Sequence, residues 1–311
     1  MTVKPNVAVS PKSEAQYLAA IALGGGVAAD LGRDTNGLVW TDSSDSQGLL
    51  VALQSHPGIE WVQLPFAGVD NFSQVFEWAV ESGREIRFTS AKGAYREPVA
   101  EHALMLALAL ARILPERIRA ESWGRKYADT LFDSNVLIIG GGGIAEELIR
   151  LLAPFRCSIT VVRRQVDLAL GDASVLSLDS LDQALPLADF VFIASALTNE
   201  TKGLFDDQRF ELMKSSAYLI NIARGGIVQS AALEKALRSG LIAGAGIDVT
   251  DPEPLPTNHS LWSVPNLIIT PHTADTPEMC LRLLSARIVS NIENLIAGDP
   301  LIGSVNLKLG Y

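Results

Sequence analysis

The sequence predicts an α/β protein with two domains, each built on a parallel sheet. Short apolar runs alternate with helix-like segments along most of the chain, which is the pattern of parallel strands joined by helices. A glycine-rich turn, Gly140 to Gly143, joins one apolar run to a helix. Three further runs in the second half are followed directly by Arg224, Asp248 and His272. Together these observations favour a ligand-binding α/β fold.

Length and composition agree with a globular protein of two domains. The chain has 311 residues, 48% of them hydrophobic and 19% charged. The net charge of −10 argues against binding to nucleic acid, because phosphate contacts require clustered Lys and Arg. Cys157 and Cys280 fit no metal-binding spacing and cannot form a disulfide framework, so we expect no metal site and a reducing compartment.

The N-terminal sequence lacks a basic region followed by a long apolar core, so a signal peptide is not expected. The most apolar stretch, residues 103–114, is too short to span a bilayer. We therefore expect a cytoplasmic protein that does not bind membranes.

The first part of the chain has the pattern of a small α/β unit. Strands are expected at residues 7–9, 37–40, 60–64 and 85–89, and helices at 14–23, 47–54 and 98–114. Gly24 to Gly26 are interpreted as a turn. The helix at 98–114 is apolar on every face, which is typical of a helix packed on both sides.

A larger set of alternating units begins after Asp133. Strands are expected at residues 136–139, 159–162, 175–178, 190–194, 218–222, 244–247 and 267–270, with a last helix at 278–297. This order predicts a doubly wound nucleotide-binding domain at residues 98–283. Residues 1–97 and 284–311 are assigned to a smaller, discontinuous substrate domain.

The glycine loop matches the dinucleotide fingerprint G-x-G-x-x-G/A. Gly140 would form the tight turn, Gly142 would admit the pyrophosphate, and Ala145 would pack the helix on the strand. A pyrophosphate would then meet the N-terminus of the helix, where free N–H groups and the dipole favour negative charge. The simple alternative is a glycine turn with no ligand.

Two arginines follow the second strand of this domain, where NAD-binding proteins place an acid. Arg163 and Arg164 cannot accept a hydrogen bond from a ribose 2′-hydroxyl, but they can bind a 2′-phosphate. The sequence therefore favours NADP(H), with NAD(H) also possible. Alternatively, the two arginines are a solvated pair at a strand end.

Four polar residues, Arg224, Asp248, Glu253 and His272, come just after the ends of expected strands. Because the carboxyl ends of parallel strands meet at one edge, these side chains should lie in one crevice. Hydride addition to a ketone leaves negative charge on oxygen, so a proton donor and a cation lower the barrier. A carboxylate beside an imidazole favours its protonated form, and Arg suits a planar carboxylate.

The ordered motifs resemble the D-isomer-specific 2-hydroxyacid dehydrogenase family. The resemblance covers nearly the whole chain and rests on the glycine loop and on the segments 67–70, 198–201, 221–225, 248–256 and 270–272. It implies two Rossmann-like domains, with a flavodoxin-like substrate domain, and a homodimer. It also implies reduction of a small 2-ketoacid to the D-2-hydroxyacid.

By this resemblance, Arg224 holds the substrate carboxylate and keto oxygen, while Glu253 pairs with His272, the proton donor. The N–H groups of Ala67 and Gly68 would bind the same carboxylate. The implied cofactor contacts are Gly140, Gly142, Gly143, Ile144, Arg163, Arg164, Ala196, Thr201, Ile222 and Asp248. Of these, Gly143 and Ile144 would face the pyrophosphate, and Ile222 and Asp248 the nicotinamide amide.

Within the family, the chain is most similar to short bacterial glyoxylate and hydroxypyruvate reductases. The features behind this are the two arginines, Ser260 to Trp262, and the terminal Gly310-Tyr311. Two alternatives stay open: a phosphoglycerate dehydrogenase, and a non-catalytic scaffold that senses dinucleotides, as corepressors of this fold do.

The chain departs from the family pattern at two positions and has three further histidines. Ala196 stands where the family usually has proline, and Asp275 where it has a small residue. His56, His102 and His259 lack a motif context and are interpreted as structural.

Overall fold

The computed structural model describes residues 4–307, which divide into two compact units. One unit comprises Met1–Tyr95 with Thr276–Tyr311, and the other comprises Arg96–Asp275. The strands are β1 (Asn6–Ser10), β2 (Val27–Ala28), β3 (Gly37–Trp40), β4 (Trp61–Gln63), β5 (Arg87–Thr89), β6 (Asn135–Ile139), β7 (Ser158–Val162), β8 (Ser174–Leu176), β9 (Phe190–Ile193), β10 (Tyr218–Asn221), β11 (Gly244–Ile247) and β12 (Leu267–Ile269). The helices are α1 (Ala15–Leu23), α2 (Ser46–Ser55), α3 (Ser73–Glu81), α4 (Arg96–Ala111), α5 (Leu114–Ile118), α6 (Gly143–Leu152), α7 (Leu181–Ala184), α8 (Asp207–Leu212), α9 (Ser230–Ser239) and α10 (Pro277–Ala297).

The first unit has a parallel sheet in the order β2-β1-β3-β4-β5. This is the flavodoxin-like order, as expected. Its core contains Trp40, Phe72, Phe76 and Phe88, all at most 3% exposed. The sequence did not predict β2, because its two residues are exposed at the sheet edge and have no apolar periodicity.

The second unit has a seven-stranded parallel sheet in the order β12-β11-β10-β9-β6-β7-β8. The first strand of this sheet along the chain is the central strand β6. The next strands, β7 and β8, extend the sheet on one side of β6, and β9 pairs with β6 on its other side. This arrangement confirms the doubly wound fold, and its reversal point lies between β6 and β9. In such sheets a ligand binds outside the carboxyl ends of the strands at this point.

Helix α4 packs against α6, β10 and β11 within the second unit. A Cβ atom at Gly246 would lie 3.0 Å from Leu106 Cβ, so the glycine in β11 allows α4 to approach closely. This contact accounts for part of the apolar surface of α4. Among residues 4–307, no helix is both long enough and apolar enough to cross a membrane.

Candidate active site

The predicted polar residues follow three neighbouring strands at one edge of the larger sheet. Arg224 comes after β10, Asp248 directly after β11, and His272 after β12. Because β10 pairs with β11 and β11 with β12, all in parallel, the three residues lie at the same edge of the sheet, where the strands have their carboxyl ends. The structure therefore groups Arg224, Asp248 and His272 as the sequence predicted.

His272 and Glu253 form a direct pair. Nδ1 of His272 lies 2.6 Å from Oε1 of Glu253, and both side chains are almost half exposed. The other carboxylate oxygen of Glu253 accepts a hydrogen bond from the Thr250 N–H at 3.3 Å. The imidazole is thereby oriented through Nδ1, and among residues 4–307 no hydrogen bond is made by Nε2.

Asp248 is buried and holds the loop that carries His272. Its carboxylate accepts hydrogen bonds from the Thr270 hydroxyl at 2.6 Å and from the N–H groups of Thr273 and Ala274 at 2.9 and 3.0 Å. Its carbonyl accepts a hydrogen bond from the His272 N–H at 2.8 Å. Burial alone would raise the pKa of Asp248, but the hydrogen bonds outweigh burial and hold the pKa below its usual value.

His102, which the sequence left as structural, belongs to the same network. Its Nε2 lies 2.9 Å from the Thr270 hydroxyl oxygen and 3.4 Å from Oδ1 of Asp248. No local motif identifies it, because it is 146 residues from Asp248 in sequence. The available signal was a histidine at the start of the apolar stretch of α4, where a buried polar group requires a hydrogen-bond partner.

Asn221, at the end of β10, shapes the turn that carries Arg224. The Asn221 amide donates to the Arg224 carbonyl at 3.0 Å and accepts from the Ala223 N–H at 3.1 Å. A Cβ atom on Gly225 would lie 2.0 Å from the Thr250 backbone, so the turn packs directly on the loop after β11. Arg224 Nη1 donates to the Ala223 carbonyl at 2.8 Å.

The glycine loop has the geometry that a pyrophosphate requires. Gly140 has φ of 109°, and a Cβ there would lie 2.4 Å from the Ala194 carbonyl oxygen. A Cβ on Gly142 would meet no atom within 4 Å, so the backbone faces open space at the start of α6. Ala145 is fully buried, as the fingerprint requires. The residues present therefore fit a dinucleotide.

Helix α6 begins at Gly143, within the glycine loop itself. Gly143 and Ile144 are thus in the first turn of the helix, where N–H groups have no partner within the helix. The sequence alone could not locate this start, because a run of glycines can belong either to a turn or to the first residues of a helix.

Arg163 lies directly beside the glycine loop, after the end of β7. A Cβ on Gly141 would lie 2.6 Å from Cδ of Arg163, so the glycine makes room for this side chain. Arg163 is half-buried and Arg164 is exposed. Gly141 was not among the predicted cofactor residues, and its contact with Arg163 links the glycine loop to the arginine pair.

The loop after β9 contains Ala196 and Thr201. Thr201 is buried, and its hydroxyl bonds within the loop, donating to the Ala196 carbonyl at 2.7 Å and accepting from the Thr198 N–H at 2.8 Å. Ala196 itself is exposed. The Ser195 hydroxyl oxygen is buried and has no hydrogen-bond partner among the described residues, which leaves a polar atom available beside the glycine loop.

The remaining predicted residues are in three parts of the chain. Ala67 and Gly68 are in the first unit, in the loop after β4, and no hydrogen bond to another residue in 4–307 uses their N–H groups. Ile222 is buried after β10, and its N–H donates to the Ile193 carbonyl at 3.4 Å. Gly310 and Tyr311 lie outside the described residues.

Comparisons with known proteins identify a family for this chain. The model for the NAD-binding domain of the D-isomer specific 2-hydroxyacid dehydrogenases matches residues 103–274. The glyoxylate reductase/hydroxypyruvate reductase of Homo sapiens is 34% identical over 236 residues, 72% of this chain and 71% of that protein. The glyoxylate reductase of Pyrococcus furiosus is 33% identical over 227 residues, 67% of this chain and 66% of that protein.

A similar solved structure is the D-isomer specific 2-hydroxyacid dehydrogenase from Xanthobacter autotrophicus Py2, in complex with NADPH and MES. It has a TM-score of 0.82 and 26% sequence identity. The similarity covers 99% of this chain and 100% of that one.

Proposed function

Because this chain belongs to the D-isomer specific 2-hydroxyacid dehydrogenase family, we propose that it reduces a small 2-ketoacid, glyoxylate or hydroxypyruvate, to the hydroxyacid. The observation that carries the proposal is the pair of His272 and Glu253 at 2.6 Å, on the sheet edge that also holds Arg224. A proton donor and a cation at one edge are the groups that ketone reduction requires.

His272 is the proton donor in this proposal. Glu253 accepts a hydrogen bond from Nδ1–H, which leaves Nε2–H of the imidazolium to donate to the keto oxygen. As the proton moves to the substrate oxygen, the imidazole becomes neutral and stays bound to Glu253 through Nδ1–H. The same carboxylate thus orients the ring before and after transfer.

Arg224 binds the substrate carboxylate, because its planar guanidinium can donate two parallel hydrogen bonds to it. Asn221 supports this role by fixing the turn on which Arg224 stands. The N–H groups of Ala67 and Gly68 are assigned to the same carboxylate by family resemblance. Their lack of partners among residues 4–307 agrees with this assignment.

The cofactor is a nicotinamide dinucleotide, which supplies the hydride when bound. We assign its pyrophosphate to Gly140, Gly142, Gly143 and Ile144 at the start of α6. Ala196 and Thr201 belong to the loop on the ribose side, and Ile222 and Asp248 to the nicotinamide amide. Only one oxygen of Asp248 has spare capacity for that amide, because the other already faces Thr270, Thr273 and His102.

NADP(H) is the preferred cofactor in this proposal. Arg163 packs on Gly141, so its guanidinium is held near the glycine loop, and Arg164 follows it. Two cations at this position favour a 2′-phosphate over a 2′-hydroxyl. The NADPH bound to the similar Xanthobacter enzyme supports the same choice.

The substrate proposal rests on the glyoxylate reductases among the relatives and on Asp275. We expect its carboxylate, three residues after His272, to disfavour a doubly charged phosphorylated substrate through like-charge repulsion. This favours glyoxylate and hydroxypyruvate over the phosphoglycerate dehydrogenase alternative.

We further propose a cytoplasmic homodimer. Large apolar side chains are exposed along residues 114–132 of the second unit, where Trp123 is 87% and Ile118 is 74% exposed. A symmetric contact between two copies would bury them.

The direct test is the initial rate of NADPH and NADH oxidation with glyoxylate, hydroxypyruvate, pyruvate and phosphohydroxypyruvate. We expect NADPH-dependent reduction of the first two to be fastest. Preference for phosphohydroxypyruvate would favour the phosphoglycerate dehydrogenase alternative. Cofactor binding without turnover of any of the four would favour a dinucleotide-sensing scaffold.

A further inference from the structure

We propose that His102 is a positioning residue, which sets the orientation of His272 through Thr270 and Asp248. The inference rests on the proposed function, in which His272 donates the proton. His102 belongs to α4, whereas His272 lies in the loop after β12. The hydrogen bonds between them connect a helix of the core to the reacting side chain.

The direction of each hydrogen bond follows from the donors available. The Thr270 hydroxyl is 2.6 Å from Oδ1 of Asp248, and a carboxylate can only accept, so the hydroxyl gives its single hydrogen to Asp248. Nε2 of His102, 2.9 Å from the same hydroxyl oxygen, must therefore be the donor. His102 thus carries a hydrogen on Nε2, which also points toward Asp248 at 3.4 Å.

These contacts restrain the backbone on both sides of His272. Thr270 lies two residues before it, and the Thr273 and Ala274 N–H groups that bind Asp248 follow it. The His272 N–H donates to the Asp248 carbonyl, and its φ of 52° is in the left-handed region. A non-glycine residue adopts this conformation only where its surroundings hold it there.

Burial makes the His102 contact consequential. The Asp248 side chain is 1% exposed and the His102 side chain 15% exposed, so water has little access to replace a lost donor. Removing one partner from a buried polar network leaves the others unsatisfied and free to rearrange. The segment that would move carries the proton donor, and a displacement of about 1 Å at a reacting group costs roughly 100-fold in rate.

The test compares His102→Leu, which removes the donor, with His102→Gln, which keeps an N–H in a similar place. We expect His102→Leu to lower kcat by about 10- to 100-fold, with the Kd for NADPH, from fluorescence titration, within about 2-fold of wild type. His102→Gln should recover most of the lost kcat. If His102 were purely structural, His102→Leu would reduce the amount of folded enzyme. The folded fraction would then keep its kcat, and His102→Gln would give no specific recovery of kcat.

His56→Leu is the matched control. Nδ1 of His56 lies 2.9 Å from the Ala52 carbonyl oxygen, a contact of the same length made at the end of α2 in the first unit. It should lose some thermal stability and keep wild-type kcat. Thr270→Val removes the intermediate hydroxyl, so combined with His102→Leu it should cost no more than the larger of the two single losses.

Wild-type kcat in His102→Leu, or equal losses in the Leu and Gln variants, would overturn the inference. Additive losses in the His102→Leu, Thr270→Val pair would also refute a shared path. If the Leu variant does not fold, Thr270→Val decides the question, because wild-type kcat in that variant would refute a path through its hydroxyl. His272→Gln is measured alongside. If that variant keeps its turnover, the proposed role of His272 fails, which is a separate result from an active His102→Leu with an inactive His272→Gln.

Discussion

His272 combines an uncommon backbone conformation with a fully specified environment. Its N–H bonds to the carbonyls of Asp248 and Thr270, and its ring bonds to Glu253. The φ of 52° is therefore held by backbone contacts as well as by side chains. Such strain is often concentrated at reacting groups, where it fixes a geometry that the isolated chain would not adopt.

Arg163 permits a test of cofactor choice at the level of one residue. We expect Arg163→Asp to shift the ratio of kcat/KM for NADPH to that for NADH toward NADH by at least about 10-fold, because a charge-assisted hydrogen bond is worth roughly 1.5–3 kcal/mol. The new carboxylate can also accept from a 2′-hydroxyl. Steady-state kinetics with both cofactors measures the ratio.

Arg33→Asp is the control for the change in net charge, because Arg33 is exposed in the first unit. It should leave the ratio unchanged. An unaltered ratio in Arg163→Asp would exclude the proposed 2′-phosphate contact.

Some residues of the candidate site could be predicted from the sequence, and others could not. The order of motifs placed Glu253 and His272 in one site, because each follows a strand of a parallel sheet. The same reasoning could not identify His102 or Gly141, whose roles depend on contacts between distant parts of the chain. Side-chain contacts of this kind arise from packing, which a periodic pattern does not encode.

At the level of elements, parallel strands determine the site more than any one motif. β10, β11 and β12 are adjacent in the sheet in the order in which they occur in the chain. Their apolar runs were sufficient to predict them, and β11 has the predicted bounds. Strand ends differed by a residue or two, and β8 spans Ser174–Leu176 rather than 175–178. Short exposed edge strands have weak periodicity, which explains this error.

Asp189 lies at the amino-terminal ends of the strands, opposite the candidate active site, and it gives a prediction about the pH dependence of stability. It precedes β9, accepts from the Asn135 N–H of β6 at 2.9 Å, and pairs with Lys214 at 2.7 Å. Burial raises the pKa of Asp189, but the hydrogen bonds from Lys214 and Asn135 outweigh burial and lower the pKa overall. Its ionised form therefore stabilises the folded state.

We expect Asp189→Asn to reduce the free energy of unfolding by about 1–2 kcal/mol at pH 7. Because the pKa is lowered in the folded state, this contribution is present above the unfolded value of about 3.9 and is lost as the pH falls through the folded value. Urea denaturation at pH 7 and below pH 4 should show the difference between the two proteins narrowing in acid.

Asp207→Asn provides the comparison, since Asp207 pairs with Lys235 at 2.9 Å with both side chains more than half exposed. An exposed pair contributes little, so this variant should remain close to wild type at both pH values. A difference for Asp189→Asn that does not narrow in acid would contradict the assignment to its ionised form.

Over the whole molecule, a segment from the end of the chain completes the first unit. Asn291 of α10 donates to the Gln63 side chain of β4 at 2.9 Å and to the Ile302 carbonyl at 3.0 Å. Both amide side chains are fully buried. The sequence predicted that the tail returns to this unit, but not the buried amide pair that joins them, because nothing in the local pattern links residues so far apart.

The proposed homodimer is tested by mass. We expect light scattering to give twice the chain mass of 33.3 kDa, and Trp123→Glu to reduce it toward the monomer. Trp123 is 87% exposed, so the substitution should leave the fold of one chain intact, while a charge in an apolar interface would oppose association. Leu23→Glu, at a leucine of 77% exposure in the first unit, should remain dimeric. A monomeric wild type would contradict the proposal.

The central claim is that this chain reduces a small 2-ketoacid with His272 as proton donor. The most direct measurement is the initial rate of NADPH oxidation with glyoxylate for the wild type and His272→Gln, together with the Kd for NADPH. We expect the variant to lose at least about 100-fold in kcat, as removal of a general acid does, while its Kd stays within about 2-fold of wild type. Substantial turnover by His272→Gln, or none by the wild type, would contradict the claim.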